Sequence, residues 1–241
     1  MTLAAEISAS EPMPKLITVA CLDMAGTTVA DDGSVIAAFS AAVEQFGLPA
    51  GTPGYDEALA YVHQTMGQSK IEVFRHILGA EETAQMANRA FEEHYAASVR
   101  DGAVAPLPGA AQTLMALRAA GVRVCLATGF SPATRDALLD ALDWRPLIDL
   151  ALSPADARRG RPWPDLPLTA LLRLGGGAVS ELAVAGDTAS DVESGLRAGA
   201  GLVAGVLTGS GRREDLERAG APVILDTVAD LLPLLGIGGA G

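Results

Sequence analysis

Leu16-Ile17-Thr18-Val19-Ala20-Cys21-Leu22-Asp23-Met24-Ala25-Gly26-Thr27-Thr28 is the stretch on which the reading of this chain turns. Its apolar, partly β-branched first half reads as a strand buried on both faces. The run stops at a carboxylate, followed by Gly26 and two threonines. In open α/β sheets, ligands bind outside the carboxyl ends of the strands, so Asp23 is expected where a reacting group sits, with Gly26 freeing the backbone to turn. On this stretch alone, an Asp that merely caps a turn explains the pattern equally well.

Outward from this stretch the chain alternates strand and helix, with one long interruption. Val29 to Ser34 has turn chemistry and leads into expected helices at Val35–Phe46, Tyr55–Thr65, Ser69–Leu78 and Glu81–Arg100. The segment from Asp101 to Pro106 looks like a return linker. Residues 33–102 are therefore expected to form a helical cap domain inserted into a core built from 1–32 and 103–241, with a hinge strand at each end. From Pro108 the alternation resumes. Strands are expected at Val122–Ala127, Leu147–Leu152, Glu181–Ala185, Gly201–Leu207 and Val223–Leu225, and helices up to Ala120, after Ser131-Pro132, at Leu168–Leu174, up to Ala198 and at Val228–Leu235. Ser190 and Glu193 are expected to form a capping box. This order predicts an α/β fold: a doubly wound, Rossmann-like parallel sheet with right-handed crossovers.

Composition narrows the function. A chain of 241 residues with 49% hydrophobic content supports one sizeable core plus a smaller accessory domain. A net charge of -12 opposes attraction to nucleic acid or to anionic membrane, so neither is an expected partner. No run approaches the length of a membrane span. Met1–Pro14 lacks the charged and apolar regions of a signal peptide and reads as a tail. Cys21 and Cys125 lie in apolar runs without metal-ligand spacing, which predicts buried free thiols and a reducing, cytoplasmic setting.

Four expected strand ends carry Asp23, Thr128, the loop from Ser153 to Pro164 with Arg161, and Asp187 with Asp191. A parallel sheet places all four at one edge. Carboxylates from two strands suit a hard divalent cation, and Mg²⁺ in particular takes one or two carboxylates plus substrate oxygens. A hydroxyl and a guanidinium are donors to phosphoryl oxygens.

The sequence of motifs Asp23-x-x-Gly26-Thr27, Thr128-Gly129, a cationic loop and Gly186-Asp187-x-x-x-Asp191 resembles the haloacid dehalogenase-like superfamily over nearly the whole chain. Within it, Asp23-Met24-Ala25-Gly26-Thr27-Thr28-Val29, Met66-Gly67 with Lys70-Ile71, Gly160-Arg161-Pro162-Trp163-Pro164 and Gly186–Asp191 are similar to the phosphonatase (phosphonoacetaldehyde hydrolase) branch. The resemblance implies that Asp23 attacks phosphorus and that Asp23, the Ala25 carbonyl and Asp187 hold Mg²⁺. Thr128 and Arg161 would hold the phosphoryl group, and Asp191 would support the metal or orient Arg161. Thr27, Met66, Gly67, Gly129 and Arg161 would meet the substrate, a small phosphonate or phosphate, and a homodimer is compatible with the resemblance.

Ala25 departs from the usual phosphatases of the superfamily, which carry there a second Asp that protonates an oxygen leaving group; a methyl group cannot do so. A carbon leaving group needs an electron sink instead, and a protonated imine on Lys70 is one. Of 17 cationic residues only two are lysines, Lys15 and Lys70; only lysine forms a Schiff base, whereas arginine serves wherever a fixed charge suffices. The expected activity is therefore Mg²⁺-dependent cleavage of the P–C bond of a small carbonyl phosphonate, with phosphate-ester hydrolysis on the same core as the rival. Dehalogenation, which would leave Asp187 without purpose, and a catalytically silent binding protein are further alternatives. Val73 and Phe130 stand where phosphonatases carry His and Tyr, which bears on the organic part of the substrate. Arg75 and Arg161 are candidates to lower the Lys70 pKa. His76 falls on a different helical face from Lys70, and His63 and His94 read as ordinary helix residues.

Overall fold

The computed structural model describes residues 16–30 and 32–238. Met1–Pro14, Lys15, Asp31 and the last three residues of the glycine-rich C-terminus, and with them the tail expected at Met1–Pro14, lie outside the described residues. The elements follow as β1 (Val19–Asp23), β2 (Val29–Ala30), α1 (Ser34–Gln45), α2 (Pro53–Gln64), α3 (Lys70–Leu78), α4 (Glu81–Arg100) and β3 (Ala105–Pro106). The second half runs α5 (Ala110–Ala119), β4 (Arg123–Ala127), α6 (Pro132–Ala141), β5 (Leu150–Leu152), α7 (Asp165–Arg173), β6 (Leu182–Gly186), α8 (Ala189–Ala198), β7 (Leu202–Val206), α9 (Arg213–Arg218), β8 (Val223–Leu225) and α10 (Leu231–Leu234).

Six strands form a parallel sheet in the order β5-β4-β1-β6-β7-β8. Every residue of β1 is buried, as the unbroken apolar run requires. The chain winds outward from β1 through β4 to β5, then crosses back and winds the other way through β6, β7 and β8. The reversal lies beside β1, so the crevice at the carboxyl ends of β1, β4 and β6 is the topological switch point where α/β sheets bind ligands. Cys21 of β1 pairs in register with Cys125 of β4. Both are free and buried, and burial raises the Cys125 thiol pKa.

Helices α1 to α4 run between β2 and β3, which pair antiparallel as the two connections to the sheet. They pack around Phe39, Phe74 and Phe91, with Phe39 4.6 Å from Phe91 and 5.0 Å from Phe74 between ring centroids. Phe130, in the loop after β4, packs its ring 4.6 Å from Tyr95 of α4, so this aromatic cluster joins sheet edge to helices. Local signals explain the helix starts. Thr52 and Ser131 accept from Tyr55 N–H and Thr134 N–H, each followed by a proline in the first turn.

Several expected elements are displaced. The capping box of α8 is formed by Thr188 and Asp191, two residues before the expected Ser190 and Glu193. Thr188 is the last extended residue, and Glu193 instead pairs with Arg197 at 2.8 Å. Leu147 belongs to a 3₁₀ turn, which leaves β5 only Leu150–Leu152; Val228–Asp230 is likewise a 3₁₀ turn before the short α10. Helix α9, charged and only six residues long, was not apparent from periodicity.

Candidate active site

Asp23 ends β1 and is followed by a tight turn in which the Thr28 and Val29 N–H groups donate to Met24 O and the Gly26 N–H donates to Val29 O. Gly26 has φ +88, and a Cβ there would come within 2.6 Å of the Asp187 carboxylate. Only glycine satisfies both conditions. The turn thus lets β1 and the end of β6 bring two carboxylates together.

Asp187 is held from both sides. Its Oδ1 accepts from the Thr27 hydroxyl at 3.1 Å, and its Oδ2 accepts from the Ser210 N–H at 2.8 Å. Thr208 donates to Gly26 O at 2.7 Å, so the loop after β7 braces the turn after Asp23 as well. In Asp191, Oδ2 accepts from the Thr188 hydroxyl at 2.5 Å, while Oδ1 lies 2.7 Å from Arg161 Nε. The Arg161 guanidinium also donates to Asp23 Oδ1 at 2.6 Å and to Ala127 O at 3.0 Å. Arg161 is therefore a buried bridge between Asp23 and Asp191.

The electrostatics of this cluster are unbalanced. Burial is the largest influence on Asp23 and pushes its carboxyl pKa up; Arg161 pulls it down, and Asp191 and Asp187 push it up again. Burial and then Asp191 raise Asp187. Burial opposes the Arg161 charge, but Asp191 and Asp23 outweigh it and hold the guanidinium above its ordinary value. Three buried carboxylates thus face a single guanidinium in this group of side chains. Ligand atoms of Asp23, Asp187 and Asp191 lie within 4.8 Å of one another, and the charge of Arg161 is shared between two of them. Both features fit a divalent cation, which supplies the missing positive charge and takes oxygen ligands.

A cavity of about 290 Å³ opens over Asp23 and is lined also by Ala25, Asp187, Thr128, Gly129, Met66, Gly67 and Lys70. The helical layer reaches it through its main chain. The Lys70 N–H donates to Gly129 O at 3.3 Å, and Gly67 O accepts from Arg161 at 3.4 Å. Lys70 is only 7% exposed, with Nζ 5.0 Å from the Phe130 ring centroid and 5.8 Å from that of Phe39. The Thr128 hydroxyl accepts from Phe130 N–H at 3.2 Å.

The family model for haloacid dehalogenase-like hydrolases matches residues 17–199. The chain belongs to that family. The hydrolase is 26% identical over 259 aligned residues to the phosphonoacetaldehyde hydrolase of Parabacteroides distasonis, covering 90% of this chain and 95% of that protein. It is 28% identical over 178 residues to the phosphoglycolate phosphatase of Shigella boydii, covering 74% and 68%. Among solved structures, a phosphonoacetaldehyde hydrolase-like protein from Oleispira antarctica superposes with a TM-score of 0.78 at 26% identity, covering 98% of this chain and 96% of that one.

The geometry of the hydrolase departs from the sequence reading at several residues. Thr27, expected at the substrate, is fully buried with its hydroxyl on Asp187 and lies outside the cavity lining. Arg161 also stands behind the lining, on Asp23 and Asp191. Arg75 points away from Lys70's surroundings into surface pairs with Glu72 at 2.5 Å and Glu81 at 2.7 Å, so it does not serve as the neighbouring cation. His76 is exposed and stacks on Tyr61 at 3.8 Å. His63, by contrast, lines the cavity, as do Asp32, Thr208, Gly209 and Ser210. The last three had a readable signal: Thr208-Gly209 repeats, after β7, the strand-Thr-Gly pattern of Thr128-Gly129.

Among the described residues, no helix is long and apolar enough to cross a membrane.

Proposed function

We propose that this hydrolase cleaves the P–C bond of a small carbonyl phosphonate, using Asp23 as nucleophile and Lys70 as the imine-forming amine. The observation that carries the reading is the pairing of Lys70 and Asp23 in one cavity whose remaining acid position, residue 25, is an alanine. In the reaction, the Lys70 amine condenses with the substrate carbonyl and releases water. An Asp23 carboxylate oxygen then bonds to phosphorus while the P–C electron pair moves into the protonated imine, giving an enamine. Protonation of the enamine carbon and hydrolysis of the imine free the organic product and Lys70; a second water cleaves the aspartyl-phosphate to inorganic phosphate.

Mg²⁺ held by Asp23, the Ala25 carbonyl and Asp187 would neutralise charge on the phosphoryl oxygens. Arg161 fixes Asp23 from behind, Asp191 orients Arg161, and Thr128 donates to the phosphoryl group as Gly129, Met66 and Gly67 close around it. The helical segment 33–102 acts as a cap that closes on the sheet edge and excludes water. Residues 1–32 and 103–241 form the core. Free buried Cys21 and Cys125 suit a cytoplasmic enzyme; its partners are small phosphonates or phosphates, with a homodimer as the assembly to test.

Borohydride added with phosphonoacetaldehyde is expected to trap a covalent adduct on Lys70, read by peptide mass spectrometry. Absence of the adduct, with turnover of phosphate esters intact, replaces this reading by the phosphomonoesterase one. That second reading rests on the similarity to phosphoglycolate phosphatases; in it, Lys70 pairs with an acidic group of the ester.

A further inference from the structure

We infer that the organic subsite of this cavity is built for a ketone, a 2-oxoalkylphosphonate, in preference to the aldehyde or to a phosphorylated acid; the inference rests on the P–C reading above. An imine places the carbonyl substituent beside Lys70 Nζ: hydrogen for an aldehyde, an alkyl group for a ketone. The Phe130 ring centroid lies 5.0 Å from Nζ, and the same cavity is walled by Val35, Ile36 and Leu107 beside the polar groups of Asp32, His63, Thr208 and Ser210. Ile36 and Leu107 are only half-buried, so part of their apolar surface is left for a ligand to cover. Their placement is set by the hinge: Val35 and Ile36 open α1 just after β2, and the Leu107 N–H, just after β3, donates to Thr28 O at 2.9 Å. Val73 is buried at 2% exposure and offers no polar atom to a carbonyl end.

Burial of a substrate methyl against such a wall is favourable, whereas an aldehyde hydrogen leaves it uncovered. A carboxylate on the substrate, although Lys70 could pair with it, would also meet the carboxylate of Asp32, which lines the same cavity. The overall reaction for the methyl ketone is 2-oxopropylphosphonate plus water giving acetone and inorganic phosphate, with the proton on the new methyl group coming from water and the fourth oxygen of phosphate likewise.

The test uses the full chain with Mg²⁺ and three probes, phosphonoacetaldehyde, 2-oxopropylphosphonate and 2-oxobutylphosphonate, with phosphate and the organic product both quantified. The ketones are expected to exceed the aldehyde in kcat/KM by roughly tenfold, the scale of one methyl or methylene group in an apolar pocket. Ile36→Ser and Leu107→Ser, checked for folding by circular dichroism, are expected to lower the ketone-to-aldehyde ratio through KM. Aldehyde turnover equal to or better than that of both ketones overturns the inference while leaving P–C cleavage standing. Phosphate release from esters with none from any of the three phosphonates overturns the underlying reading and the inference with it. The wild-type comparison decides the matter even if both variants fail to fold.

Discussion

The sheet edge and the helical layer solve opposite problems. At the edge, Asp23, Asp187, Asp191 and Arg161 are buried charges, each held by named donors or acceptors from strand ends and their loops. In the helical layer the one buried lysine of the described residues, Lys70, lies near the rings of Phe39 and Phe130 and faces the cavity. The proposed chemistry divides along the same line, with fixed charge for phosphorus at the edge and an amine for an imine in the layer.

That contrast can be broken most directly at Asp23. Asp23→Asn is expected to lower turnover of every substrate by about 10⁴-fold or more. Phosphate release measures the loss, and a native circular dichroism spectrum excludes unfolding as its cause. Activity near wild type would remove the edge from the chemistry. Lys70→Arg keeps the charge and is expected to lower P–C cleavage by about 10³-fold, with much smaller change for a phosphate ester; equal loss on both would mean that the layer serves binding alone.

Arg161→Ala tests whether the edge is also structural. It leaves Asp23 and Asp191 buried against each other, and urea titration without Mg²⁺ is expected to show a loss of about 3 kcal/mol. No loss would mean that the carboxylates take up protons at little cost. Mg²⁺ itself should sharpen the picture. At a hundred times its Kd it is expected to stabilise the folded chain by about 2.7 kcal/mol, a rise in Tm of about 5–10 °C for a chain of this size. Asp187→Ala should abolish the rise, and Lys70→Ala should leave it in place; a loss in both would show that the metal and the layer are not separable.

The edge was far more legible in the sequence than the layer. Strand-Asp, strand-Thr-Gly and Gly-Asp-x-x-x-Asp each combine an apolar run with a polar stop, and a parallel sheet converts four such stops into one place. The same rule applied to Val206-Leu207-Thr208-Gly209-Ser210 reaches the loop that braces Asp187, a step that needed only the observation that β7 ends at the same edge. His63 was not legible. A histidine on a helix gives no sign of what lies opposite, and its place at the cavity follows from how α2 packs. Arg75 fails for the reverse reason: five residues from Lys70 suggested proximity, but Glu72 and Glu81 lie closer and claim it. The misplaced capping box of α8 shows how two Ser/Thr–acid pairs two residues apart are decided only by where the extended chain ends.

Gly129 carries a further consequence. Where the loop before α3 comes down on the sheet edge, a Cβ at this position would collide with the Gln68 carbonyl oxygen, and the Lys70 N–H is bonded to the Gly129 carbonyl. Registration between the loop before α3 and the sheet edge thus rests at this point on bare polypeptide, beside the Phe130–Tyr95 ring packing. One methyl group at position 129 would act as a shim, lifting the loop that leads into Lys70 away from the sheet edge that carries Asp23.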